Sequence, residues 1–205
     1  YDNTNDYSIG LYEAFVAEAE SLGMTVVAAE SATADNADFT PQLIKIADQE
    51  PDAVFVCYYY EAAALILRQA VDVGLESAML GADGWTGIAD QLTDVPELLN
   101  NAYYCDSFSA DDESPTVVVN VAAITEKYGI APQGFNALGY DAAKIMLSAI
   151  EAAGSFEADA IIAALDATDL DCVTGHITFD DHNDPIKSAF VMGFEAGVPT
   201  LVTRV

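Results

Sequence analysis

An α/β fold built on a doubly wound parallel sheet is what the first hundred residues predict, and three observations carry it. Short apolar runs alternate with helical stretches at intervals of about 25 residues. The run Ala53-Val54-Phe55-Val56-Cys57 is apolar at every position, the pattern of a strand covered on both faces. Gly23 and Gly74 each follow a helical stretch, where a C-terminal stop belongs.

The elements follow in order. Residues 8–22 place Ile9, Leu11, Tyr12, Phe15, Val16, Ala19 and Leu22 at helical spacing. The apolar run over residues 24–29 reads as a short strand. Thr40-Pro41 starts a helix, with Thr as cap and Pro in the first turn, and Leu43, Ile44, Ile46 and Ala47 form its buried face. The strand over 53–57 comes next, then a helix over 61–73 and strands over 78–81 and 102–105. Residues 107–115 form a polar, acidic connector. Helical stretches over 116–128, 136–153 and 157–167 follow with no clear strand between them. The first is locally ambiguous, because Thr116-Val117-Val118-Val119 is β-branched. Strands are predicted over 173–179, 189–195 and 200–205, with a turn at 180–185.

Helices without a sheet of their own make a poor independent domain, so residues 107–188 are expected to belong with structure supplied from elsewhere. Tyr1-Asp2 suits the tail of a strand. A start on Tyr1-Asp2-Asn3 rather than Met is expected of a processed or truncated product.

Composition narrows the function. The 205 residues are 52% hydrophobic, enough for a real core, and no apolar stretch is long enough to span a bilayer. Thirty-four acidic against six basic residues give a formal charge of −28, which excludes a basic nucleic-acid footprint and disfavours docking on anionic lipid. The acidity reads as a solvated, self-repelling surface, with a salt-adapted proteome as the other reading. Cys57, Cys105 and Cys172 are odd in number and lack metal-like spacing. Cys57 and Cys105 fall in predicted buried strands, where a thiol acts as a small hydrophobe.

Catalytic and cofactor motifs are absent: there is no GxSxG, P-loop, CxxC or HExxH, and Gly81, Gly84 and Gly87 do not make GxGxxG. No cofactor or metal is indicated. His176 and His182 read as surface-turn residues. The acidic run from Asp180 to Asp184 lacks the glycine and distal glutamate of a calcium loop and reads as a hairpin turn.

The ends of the predicted strands carry a stronger signal. Ligands bind at the carboxyl edge of an open α/β sheet. Tyr7, Tyr58-Tyr59-Tyr60 and Asp83-Gly84-Trp85 fall at three such ends. One carboxylate among tyrosine rings suits an ammonium group, by charge and by cation–π attraction.

The order of these segments resembles the later part of the type I periplasmic binding proteins that serve branched-chain amino acid and amide ABC transporters. The matching segments are Tyr1-Asp2, Asp6 to Leu11, Asp38-Phe39-Thr40, Pro51 to Phe55 and Ile66 to Ala70. Further along they are Leu80 to Trp85, Ala137 to Ala142, Val173 to Asp180 and Asn183-Asp184-Pro185. The resemblance implies two lobes closing on a ligand about a hinge. Residues 1–106 and 189–205 would form the C-terminal-type α/β lobe. Residues 107–188 would be helices of the N-terminal-type lobe, whose sheet this chain lacks.

It also implies that Tyr7 lines the cleft, Tyr59 contacts the ligand, Asp83 pairs with its ammonium and Phe135 packs on its side chain, with Trp85 secondary. The implied protein is a non-catalytic, extracytoplasmic (periplasmic or lipid-anchored) binder of a neutral amino acid or amide, partnered by a membrane permease. A ligand-sensing domain with the same fold is the first alternative. A small α/β hydrolase is the second, and it lacks a nucleophile with a plausible base.

Overall fold

The computed structural model describes all 205 residues, and it divides into two compact units. Unit 1 comprises Tyr1–Cys105 and Met192–Thr200. It contains helices α1 (Asp6–Ser21), α2 (Thr40–Ala47), α3 (Tyr60–Asp72) and the short α4 (Ile88–Gln91), and strands β1 (Ala53–Phe55), β2 (Ala78–Gly81) and β3 (Ala102–Asp106), the last ending one residue beyond the unit. The three strands are parallel, with Phe55 opposite Leu80 and Leu80 opposite Tyr103.

Helix and strand alternate because parallel neighbours need a crossover. The α3 crossover buries Ala63, Ile66, Leu67 and Ala70, one helical stripe. Beneath the loop after β2, Trp85, Ile88, Leu92 and Leu99 are almost fully buried.

A hairpin extends this sheet. Strands β7 (Phe190–Glu195) and β8 (Val198–Arg204) lie beyond β3, giving the order β1-β2-β3-β7-β8. The two-residue connection Ala196-Gly197 has φ of 50° and 80°, the paired positive angles of a tight hairpin turn.

Unit 1 departs from the sequence-based expectation in several places, and β1 ends at Phe55 instead of Cys57. Residues 24–29 form no strand, because no neighbour pairs with them; only Ala32 is bridged, in parallel, to Asp2. Helix α1 begins at Asp6 instead of Ser8, because Asn5 caps it. Cys105 is exposed, since β3 alternates buried and exposed positions and is covered on one face only.

Unit 2 comprises Asp106–Val191 and Leu201–Val205. Helices α5 (Pro115–Tyr128), α6 (Gly134–Ala153) and α7 (Ala158–Asp166) are followed by an antiparallel sheet of β4 (Leu170–Cys172), β5 (Gly175–Phe179) and β6 (Pro185–Ile186). This small antiparallel sheet lies within residues 107–188. The valine run is helical despite its local preference: Pro115 occupies the first turn and Gly129, at φ 78°, closes the helix. Val117 is buried, whereas Val119 is 68% exposed and lines a groove of about 940 Å³ along α5 and α6.

The strand expected over 173–179 is shorter, because Val173 and Thr174 form the turn between β4 and β5. Buried Asp141 holds that turn, accepting from Val173 N at 2.8 Å and Thr174 N at 2.7 Å. It is the one acid on the buried α6 stripe of Ala137, Asp141, Ile145 and Ala149.

Candidate ligand-binding site

Three turns of unit 1 converge at the carboxyl ends of its strands. Asn5 positions the first: its side chain accepts from Tyr7 N at 3.0 Å and Ser8 N at 3.3 Å, fixing Tyr7 in the opening turn of α1. The Ser8 hydroxyl donates to Cys57 O and accepts from Asp2 N at 2.8 Å, so α1 is tied to the end of β1. Asp2 is buried and organises the preceding loop through Thr4 and Ala34. Burial by itself pushes the Asp2 carboxyl up, but the hydrogen bonds from Thr4 and Ala34 outweigh it and hold it below the ordinary carboxylate range.

The three consecutive tyrosines separate into different environments. Tyr58 is buried, its hydroxyl 2.7 Å from both Tyr1 O and Ala32 O. Tyr59 is 45% exposed and stacks on Tyr7, with ring centroids 4.9 Å apart and planes 23° from parallel. Tyr60 opens α3 and is half-buried.

The third turn carries the charge. After β2 the chain enters a single 3₁₀ turn, Asp83–Trp85. The Tyr7 hydroxyl donates to Asp83 Oδ1 at 2.6 Å and accepts from Gly84 N at 3.0 Å. Asp83 Oδ2 makes no hydrogen bond within the protein. Burial, then the adjacent Asp83 carboxylate, holds the Tyr7 phenol protonated far above its usual range, so Tyr7 stays a donor to Asp83.

Glycine is required at Gly84 by close approach: a Cβ there would lie 2.8 Å from Tyr7 Oη and 3.3 Å from both Tyr58 O and a Tyr59 ring carbon. At Gly81 a Cβ would overlap the Trp85 ring.

The structure thus brings Tyr7, Tyr59 and Asp83 together. Trp85 is 0% exposed, and its indole N–H donates to Val56 O at 3.1 Å, so it anchors the loop from below and has no free surface to offer a ligand. Phe135 lies in unit 2, in the first turn of α6, and is 43% exposed.

Asn5, Ser8 and Gly84 are the positioning residues that the sequence reading missed or left without a role. A capping Asn two residues before Tyr7 was the available signal for the first. The histidines stand apart from this cluster: His176 on β5 lies 2.9 Å from Asp171 and 3.1 Å from Asp169, and the Asp171 hydrogen bond raises its pKa. His182 sits in the β5–β6 hairpin turn, its N–H bonded to Asp180.

Chemically, the cluster offers a half-satisfied carboxylate beside an exposed ring face. That combination can take a small cation or an ammonium group.

Known proteins share this architecture. The periplasmic binding protein family model matches residues 1–197. A leucine-binding protein from Thermotoga maritima superposes with a TM-score of 0.92 at 30% identity, covering 100% of this chain and 58% of its own. A branched-chain amino acid transporter substrate-binding protein from Streptococcus pneumoniae, solved with isoleucine, gives 0.83 at 30% identity, over 99% of this chain and 57% of its own. In sequence, a Leu/Ile/Val-binding protein from Rhizobium johnstonii is 26% identical over 194 residues, 93% of this chain and 52% of its own. The chain therefore spans about half the length of the curated relatives it matches. No helix is long and apolar enough to cross a membrane. The chain belongs to the periplasmic binding protein family.

Proposed function

We propose that the Tyr7–Tyr59–Asp83 cluster is one wall of an amino-acid site in an extracytoplasmic solute-binding protein that serves an ABC importer. One observation carries this reading. The Tyr7 hydroxyl occupies Asp83 Oδ1 and ties it to Gly84 N, while Oδ2 makes no hydrogen bond and the Tyr59 ring is exposed nearby. A ligand ammonium would take Oδ2 and lie against the ring face. The carboxylate is already oriented, so little ordering is needed on binding.

Residues 1–106 and 189–205 would act as the C-terminal-type lobe, and the α5–α7 helices as part of the N-terminal-type lobe. Phe135 is the proposed contact for an apolar ligand side chain. Relatives named for leucine, isoleucine and valine support a neutral branched ligand. Hinge closure would capture the ligand, driven only by its tighter binding to the closed form. A membrane permease would receive it, with the binding protein in the periplasm or held at the cell surface.

Calorimetry tests the reading. This chain, and a chimera in which it replaces the segment it covers in the Thermotoga protein, are titrated with leucine, isoleucine, valine, glutamate and lysine. The chimera is expected to bind the neutral amino acids, and Tyr59→Ala to weaken them about 3- to 30-fold through the lost ring face. Binding of none of the neutral amino acids, or tighter binding of glutamate, would contradict it.

A further inference from the structure

The opening turn of α6 rests on a buried acid. Asp106 is 5% exposed, and its Oδ1 accepts from Ser107 N at 2.6 Å. Its carboxylate lies against the backbone of Gly134, the first residue of α6, where an added Cβ would overlap it. Gly134 has no positive φ, so what requires glycine there is the carboxylate beside it. The positive end of a 20-residue helix favours an ionised carboxylate at that place.

Two further contacts fix the same turn. Phe108, two residues on from Asp106, is buried in a cluster with Val117, Ala137 and Val173. Gln133 and Asn136 close a reciprocal capping box, in which the Asn136 side chain accepts from Gln133 N at 2.9 Å. Gly134 and Ala137 are three residues apart and share a face of the helix, and Asp106 and Phe108 cover that face at both points. Phe135 falls between them, with its ring 43% exposed. The direction of that ring is therefore set by what holds its neighbours.

We propose that Asp106 is a positioning residue: it fixes the first turn of α6 and, through it, the Phe135 ring, and so sets how strongly a larger apolar side chain is preferred on the ligand. Its effect on ligand preference rests on the reading of Phe135 as a ligand contact; its hold on the turn does not. Helix propensity makes the opposite prediction for one variant. Alanine favours helix over glycine, so Gly134→Ala should tighten the turn if Asp106 is a bystander. It should loosen the turn if the new Cβ displaces a carboxylate that holds it.

The test has two arms. In this chain, amide exchange is followed at Asn136 and Ala137, whose N–H groups both bond to Gln133 O, in Asp106→Ala, Asp106→Asn and Gly134→Ala. Asp106→Ala and Gly134→Ala are expected to quicken exchange there at least about tenfold, with less than about a threefold change at Ile145 and Ala149 farther along α6. Asp106→Asn keeps the shape and one acceptor oxygen, and should lie between Asp106→Ala and the native residue. In the Thermotoga chimera, leucine and alanine are titrated by calorimetry. Asp106→Ala should lower the leucine-to-alanine affinity ratio at least about threefold, while alanine itself shifts less than about twofold. Phe135→Ala should lower the ratio too, and adding Asp106→Ala to it should lower it no further.

Unchanged exchange in Asp106→Ala, slower exchange in Gly134→Ala, or equal quickening at Ile145 and Ala149 would overturn the proposal. So would equal weakening of leucine and alanine, or a full second loss in the double variant. A ratio that Phe135→Ala leaves unmoved would remove Phe135 from the ligand site and with it the effect on ligand preference, while the exchange arm still decides whether Asp106 holds the turn.

Discussion

The carboxyl ends and the lateral flank of the unit 1 sheet are built from the same few strands and differ in how completely they are wired. At the carboxyl ends, Asn5 caps the turn that carries Tyr7, Tyr7 bridges Asp83 and Gly84, and Trp85 is pinned to Val56 from below. On the flank, residues 24–29 form no strand, and with β1 they line an apolar cavity of about 710 Å³. A region can thus be rich in aromatic side chains and held by a chain of hydrogen bonds, while a region of strand-like composition lacks a strand. Pairing, more than local preference, separates the two.

Substitutions can break or sharpen this contrast. Trp85→Ala should have the largest effect on stability, about 3–5 kcal/mol by urea denaturation, because it empties a fully enclosed site and leaves Val56 O without its donor. A loss under about 1 kcal/mol would mean the loop is not anchored from below. Gly84→Ala should cost about 1–3 kcal/mol, since the new Cβ crowds Tyr7 Oη and the Tyr59 ring. Asn5→Ala should cost about 1 kcal/mol, the usual worth of such a cap, and should also loosen Tyr7. On the flank, Val27→Thr should change stability by less than about 0.5 kcal/mol, because that side chain is already 47% exposed. A loss comparable to that of Trp85→Ala would show that the flank is as well packed as the site.

Much of the site was legible in the sequence because its physics is local to strand ends. Tyr59 and Asp83 each follow an apolar run readable as a strand, Tyr7 stands at the start of a helix readable from its periodicity, and the carboxyl-edge rule brings such turns together. Trp85 could not be separated from them by pattern. Its burial depends on where the Val56 carbonyl lies, which no spacing in sequence reports.

The run at 24–29 was read as a strand for the same reason that the valines of α5 looked ambiguous. Composition states a preference, whereas the partner on the far side decides whether a ladder forms. Asp141 was visible only as an acid on an otherwise apolar stripe. Its task, holding the Val173-Thr174 turn, needed the position of β4 and β5.

The central claim is that Asp83 receives the ligand's ammonium group. The most direct measurement compares leucine with 4-methylpentanoate, the same molecule without its amino group, in the Thermotoga chimera with and without Asp83→Ala. The account predicts a clear preference for leucine that largely disappears in the variant, with leucine weakened by about 2 kcal/mol or more, roughly 30-fold. An undiminished preference for leucine in Asp83→Ala would contradict it.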